Sequence, residues 1–175
     1  MKLLVAQLDP TIGDFQGNVQ KIINALSFAR KEKIDTVLFP EMALCAYPPE
    51  DFVLHENFVL DCEEALQKIV PHTHGIMAVV GLVRRNLARG EKRLLNSAAI
   101  IQDGKIVGFH DKALLPTYDV FDERRYFEPG TEFRAWEWRG RRQGRRGRSG
   151  RDHAVSGRCQ RKSRGRFVDG AWSSR

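Results

Sequence analysis

Long apolar runs are missing from this 175-residue sequence. No stretch approaches the ~20 apolar residues that cross a bilayer as a helix, so no membrane span is expected. The apolar start is cut by Asp9 and Pro10, too soon for the core of a secretory leader. Cysteine is scarce. Cys45, Cys62 and Cys159 are odd in number and follow no metal-ligand spacing, which argues against a disulfide framework and fits a reduced, cytoplasmic setting. No internal repeat of solenoid length is present. Acidic residues are nearly absent from one region. Of 29 basic and 22 acidic residues, 13 and 2 fall within 139–175, which leaves residues 1–138 with 16 and 20. The overall charge of +7 therefore joins a mildly acidic body of net −4 to a tail of +11. Two pieces are expected: a domain over 1–138, large enough for a real core, and an Arg/Gly-rich tail over 139–175.

What is present reads as an α/β domain. Lys2–Leu8 predicts a first strand, apolar on both faces as a sandwiched sheet requires. Asp14 or Asn18 can cap the helix that follows, in which Val19, Ile22, Ile23, Leu26 and Ala29 recur at helical spacing up to Lys33. Thr36–Phe39 is a short apolar strand ended by Pro40, which has no N–H for a ladder. The turn-rich YPPED precedes a second amphipathic helix over Asn57–Val70, with Cys62 among its packing residues and Pro71 closing it. His72 and His74 follow; their spacing suits a metal, but no third ligand is near and none is expected to bind. Ile76–Val83 predicts a third strand, Arg84–Arg93 a charged turn and Leu94–Gln102 a fourth strand. Asp103-Gly104 is a two-residue hairpin turn into Lys105–His110. Two strand–helix units followed by an antiparallel pair give a mixed sheet with helices on it.

Two charges stand at strand ends. Glu41 is the first ionisable residue beyond the second strand, and Lys112 directly follows the hairpin strand. Each can be a solvated surface charge; each also stands where α/β folds place ligands. The segment Asp111–Gly130, of neither period, holds two tyrosines, two phenylalanines and two prolines. Loops this long in compact domains are usually functional or disordered, and the aromatic content argues against disorder. A carboxylate base beside an ammonium group suits attack on an amide, given a nucleophile.

These residues carry a resemblance. AQLDPTIGDFQGN, VLFPE, NSAAII and HDK before LLP resemble the nitrilase (carbon–nitrogen hydrolase) superfamily. AYPPED and LPTYDVFDERRYFEPG resemble one branch of it, the glutamine-hydrolysing domain of glutamine-dependent NAD synthetases. The resemblance implies a four-layer α-β-β-α sandwich, here incomplete, with a Glu–Lys–Cys triad at the strand ends. Glu41 would be the general base and Lys112 the cation that stabilises the tetrahedral intermediate. Tyr118 would line the glutamine pocket, with Tyr47 and Phe121 as further lining residues. L-glutamine is the implied substrate, no cofactor is needed for its hydrolysis, and ATP and magnesium serve a synthetase domain that this sequence does not contain. The resemblance also implies a homo-oligomer for intact members of the family.

The pattern then breaks. A cysteine is expected on the strand after the EPG loop, before an acidic residue. Phe133–Trp138 starts such a strand, but Arg-rich sequence follows and Cys159 sits among Arg158, Gln160 and Arg161. Flanking cations would make that thiol reactive without placing it. This predicts a chain with little glutaminase activity as written. Residues 139–175 read either as a basic arm able to bind nucleic acid non-specifically or as translation out of frame, and the abruptness favours the latter. Either reading predicts a disordered tail. An alternative activity is an amidase of another nitrilase branch, which also needs the cysteine. A body that stops near Trp138 is expected to leave an apolar sheet face uncovered.

Overall fold

In the computed structural model, residues 1–88 and 90–136 are described in full and residues 167–168 and 171–172 as backbone. The chain divides into two units, Met1–Arg141 and Arg142–Arg175.

The first unit is built on a five-stranded sheet in the order β1-β2-β3-β4-β5. β1 (Leu3–Val5), β2 (Thr36–Leu38) and β3 (Met77–Arg85) run parallel, and β4 (Leu94–Gln102) and β5 (Lys105–Asp111) return antiparallel. α1 (Phe15–Lys31) crosses from β1 to β2, and α2 (Glu56–Ile69) from β2 to β3. Crossovers of one hand stepping in one direction put both helices on the same face of the sheet. That face is the core. Ile22, Leu26 and Ala29 of α1 and Cys62, Leu66 and Ile69 of α2 join Val37, Ala78, Val80, Leu82, Ala99 and Ile101 in one cluster. Each large aliphatic side chain buried there contributes about 1.5–3 kcal/mol.

Local chemistry sets the element ends. Asp14, one of the two expected caps, accepts from the Gly17 N–H and starts α1. Asn18, the other, is inside the helix and buried; its side chain accepts from the Thr11 N–H and donates to the Thr11 and Leu44 carbonyls, tying two loops to the helix. α2 stops where Pro71 enters a 3₁₀ turn over Val70–Thr73. At the hairpin, Asp103 and Gly104 both take positive φ, 50° and 77°, the combination a two-residue turn needs. β3 runs two residues past the expected Val83, so Arg84 and Arg85 belong to the strand rather than to the turn. Their side chains are held by Asp111 and Glu63, which explains charged residues in a ladder.

The other sheet face differs from expectation at β1. The strand is three residues long, and Leu3 and Val5 are 50% and 65% exposed rather than enclosed on both faces. Their register partners continue the face through Thr36, Leu38, Met77 and Val79. Among the described residues, nothing covers Leu3 and Val5, so one sheet and one helix layer of the expected sandwich are present. At the opposite edge Trp136 lies against Gly108 of β5, and the Phe133 ring is 6.2 Å from that of His110. His74 Nδ1 is 3.6 Å from Asp103 Oδ1, and among the described residues no group of three or more potential metal ligands forms.

The expectation for 139–175, Cys159 included, lies outside the described residues apart from two strands. β6 (Phe167–Val168) and β7 (Ala171–Trp172) pair antiparallel, separated in sequence by another Asp-Gly.

Candidate active site

The turn that carries Glu41 starts where β2 ends. The Phe39 N–H still donates to the Val79 carbonyl, and the chain then folds over β3, with the Leu44 N–H on the Gly81 carbonyl. Gly81 permits this approach. A Cβ there would lie 2.9 Å from the Glu41 carbonyl carbon and closer still to Met42 N and Pro40 O. Met42 and Ala46 adopt positive φ, 50° and 68°, and residues 42–46 are all buried. Backbone strain of this kind persists when packing over-determines it.

Lys112 leaves the sheet at the end of β5. Its N–H donates to the Asn96 carbonyl and its carbonyl accepts from the Gly130 N–H. The long segment after it is ordered by its own bonds. The Glu123 N–H reaches the Pro116 carbonyl, a 3₁₀ turn spans Glu123–Arg125, and the Glu128 N–H caps β4 at Leu94.

The structure brings the two strand-end charges together. Lys112 Nζ donates to Glu41 Oε1 at 2.9 Å and to Glu123 Oε1 at 2.9 Å. Asn96 Nδ2 donates to the same Glu41 oxygen at 2.6 Å, and Tyr47 Oη donates to the same Glu123 oxygen at 2.9 Å. The chain of groups runs Asn96–Glu41–Lys112–Glu123–Tyr47. Glu41 is 43% exposed and available to a ligand, whereas Glu123 is 4% exposed with Oε2 buried and unpaired. Burial alone would lower the Lys112 pKa; the hydrogen bonds and charges of Glu123 and Glu41 outweigh it and raise the ammonium above its usual range. Tyr47 is pushed well above the usual phenol range, first by burial and then by its bond to Glu123.

The three aromatic candidates form a string beside this chain. Tyr47 and Phe121 have ring centroids 6.3 Å apart, and Tyr118 meets Phe121 edge-on at 5.7 Å. Tyr118 is 69% exposed. A cavity of about 300 Å³ opens next to them, walled by Tyr47, Phe121, Glu123, Arg125 and Tyr126 among others; Glu41, Lys112 and Tyr118 are outside its wall. The carboxylate–ammonium pair thus stands apart from the wall of this cavity.

Asn96 and Glu123 are the partners that sequence reasoning missed. Asn96 stands in β4 among mostly apolar residues, where a buried polar side chain needs a partner. Glu123 is hidden in a run of charges whose burial no local pattern reveals. No cysteine stands at the pair among the described residues. Cys45 and Cys62 are both fully buried, and the neighbouring Cys45 thiol together with burial holds the Cys62 thiol well above its usual range.

Comparison with known proteins adds the family. The Carbon-nitrogen hydrolase profile matches residues 2–146. The chain belongs to the carbon–nitrogen hydrolase family. A glutamine-dependent NAD(+) synthetase of Thermotoga maritima is 42% identical over 134 residues, 75% of this chain and 22% of that protein. The structure of the glutamine-dependent NAD+ synthetase of Acinetobacter baumannii in complex with ADP superposes with a TM-score of 0.72 at 34% identity, over 79% of this chain and 26% of that one. An amidase of the nitrilase superfamily from Nesterenkonia, 20% identical, shares the fold at a TM-score of 0.63 over 75% of this chain and 49% of its own. This α/β sheet-and-helix unit is thus a nitrilase-superfamily fold, and the chain spans under a quarter of the Thermotoga synthetase it resembles.

Proposed function

We propose that residues 1–138 correspond to the glutamine-hydrolysing, ammonia-supplying part of a glutamine-dependent NAD synthetase. The observation that carries the reading is Lys112 Nζ held at 2.9 Å from both Glu41 and Glu123. In this chemistry Glu41 takes the proton of a thiol nucleophile as that thiol attacks the glutamine carboxamide. The Lys112 ammonium faces the oxyanion that forms, and pre-placed charge of this kind needs no reorganisation as the reaction proceeds. Asn96 fixes the Glu41 carboxylate, and Glu123 with Tyr47 fixes Lys112. Tyr118, Phe121 and Tyr47 supply the aromatic wall along the substrate. ATP and magnesium belong to the synthetase reaction of such enzymes, to which no described residue here is assigned.

The triad needs a cysteine, and none stands at Glu41 and Lys112 among the described residues. The reading therefore includes little or no turnover by this chain as written. Saturation-transfer NMR against L-glutamine and L-asparagine, with an ammonia-release assay alongside, tests it. Expected are contacts to glutamine that weaken in Tyr118→Ala, and no ammonia above a Glu41→Gln control. Equal contacts to both amino acids would sink the substrate assignment. A glutamyl adduct on Cys159 by mass spectrometry would sink the inactivity.

A further inference from the structure

We propose that Arg84, Asp111 and Ser97 are positioning residues for the Glu41–Lys112 pair, acting from the opposite face of the sheet. The inference rests on the glutaminase reading for its purpose and on strand geometry for its content. Side chains alternate along a strand. On β4, Asn96 reaches Glu41, so Ser97 points to the other face; at the end of β5, Lys112 reaches Glu41 and Asp111 points away. Ser97 and Asp111 are register partners, and the Lys112 N–H is bonded to the Asn96 carbonyl one step on.

Arg84 of β3 closes this second face. Its Nη2 donates to both Asp111 oxygens at 2.8 Å, and its Nε donates to Ser97 Oγ at 3.0 Å. Ser97 Oγ in turn donates to Asp111 Oδ1 at 2.6 Å. The guanidinium lies 4.8 Å from the Phe109 ring centroid, and the Arg84 and Asp111 side chains are only 21% and 25% exposed. Three strands are thereby tied at the level where Asn96 and Lys112 emerge.

The tie has a specific task. β5 is the edge strand, and its register with β4 shifts at a bulge between Ile100 and Ile101. Beyond the bulge, four ladder pairs from Gly108 to Asp111 and the Lys112 N–H on the Asn96 carbonyl carry the edge strand to its end. Lys112 stands beyond it, one residue from the sheet's end. A partly desolvated ion pair, in which one guanidinium nitrogen reaches both carboxylate oxygens and a hydroxyl bridges, adds a side-chain constraint across three strands to that ladder. Sliding β5 by one residue would turn Lys112 away from Glu41.

Competitive acetylation of the full chain with trace acetic anhydride, read by mass spectrometry, tests this. Exposed Lys105 of the same strand is the internal reference. Lys112, engaged by two carboxylates, is expected to react more slowly than Lys105 in the parent chain. Asp111→Ala and Arg84→Ala are each expected to raise the Lys112/Lys105 ratio by about fivefold, the factor of one lost hydrogen bond. Asp111→Asn, which keeps the Ser97 bond and the shape, should give a smaller rise and guards against a misfolded alanine variant. Arg85→Ala breaks the neighbouring Glu63 ion pair and tests for mere destabilisation; it should leave the ratio unchanged. A parent ratio in folded Asp111→Ala or Asp111→Asn, or an equal rise in Arg85→Ala, overturns the proposal while leaving the glutaminase reading intact. A parent chain in which Lys112 reacts as fast as Lys105 overturns both.

Discussion

Gly81 is a position at which one added methyl group should be felt strongly. The Pro40–Cys45 turn crosses β3 at this residue with backbone against backbone. An alanine Cβ would stand 2.9 Å from the Glu41 carbonyl carbon and nearer to Met42 N and Pro40 O, inside the 3.0 Å that Cβ contacts essentially never breach. Neither neighbour is the free end of a side chain, and residues 42–46 are buried, so the turn has no soft direction in which to yield. Overpacking of this kind costs about 1–3 kcal/mol. For a domain of this size that is a fall in Tm of roughly 4 °C per kcal/mol, measured by circular dichroism during heating. Gly90→Ala is the matched control. Its Cβ would meet only the ends of Asn86 and Glu128, at 3.0 Å, and the smaller freedom of alanine in the unfolded chain favours the variant by up to ~1 kcal/mol. Gly81→Ala should therefore melt well below the parent and Gly90→Ala level with it or above. The strand-crossing argument is refuted if Gly81→Ala melts with the parent.

Lys112→Gln should cost about 1–3 kcal/mol in urea melts, because buried Glu123 then loses its cationic partner. In the parent chain the raised Lys112 pKa stabilises the fold fully below its ordinary 10.5, and that share is lost as pH rises through the higher folded value; the variant should lack this alkaline limb. Glu63 behaves in the opposite sense. Burial works to raise its pKa, but its bonds to Arg85 prevail and lower it from 4.5, so its stabilisation is present above 4.5 and lost as pH falls through the depressed folded value. Glu63→Gln should flatten that acid limb while changing stability at neutral pH by about 1 kcal/mol or less, as befits a half-exposed pair. Sequencing the gene across the codons for 133–159 tests the frame reading of the tail; a second frame encoding an apolar strand, a cysteine and an acidic residue is expected, and its absence makes the basic arm genuine.

Most of the fold was legible because it rests on signals that are local. The Leu26 and Leu66 stripes, Pro40 and Pro71 as stops, and Asp103-Gly104 as a turn each act within a few residues. Leu94–Gln102 coincides with its expected bounds for that reason. Charge argues for solvent, so Arg84 and Arg85 read as turn; their partners, Asp111 and Glu63, are 27 and 22 residues away, beyond any window of local pattern. The strand Lys2–Leu8 reads as enclosed on both faces. The apolar residues are there, but what would cover Leu3 and Val5 is set by tertiary contacts and not by their own alternation.

The site divides in the same way. Glu41 and Lys112 announce themselves by position, since each stands just past a strand, Lys112 directly after Asp111. What a strand end cannot convey is whom it meets: their 2.9 Å contact joins residues 71 apart. Asn96 and Glu123 carry less local signal still, one inside an apolar strand and the other inside FDERRYF. Yet these two give the pair its geometry. Without Asn96, Glu41 keeps one donor on Oε1; without Glu123, Lys112 loses the carboxylate that is itself pinned by Tyr47. A partner set from β4, β5, the Glu41 turn and the 113–130 segment is a property of the closed fold. The candidate pair can be found by where the strands stop, whereas the residues that hold it become visible only once the strands are laid side by side.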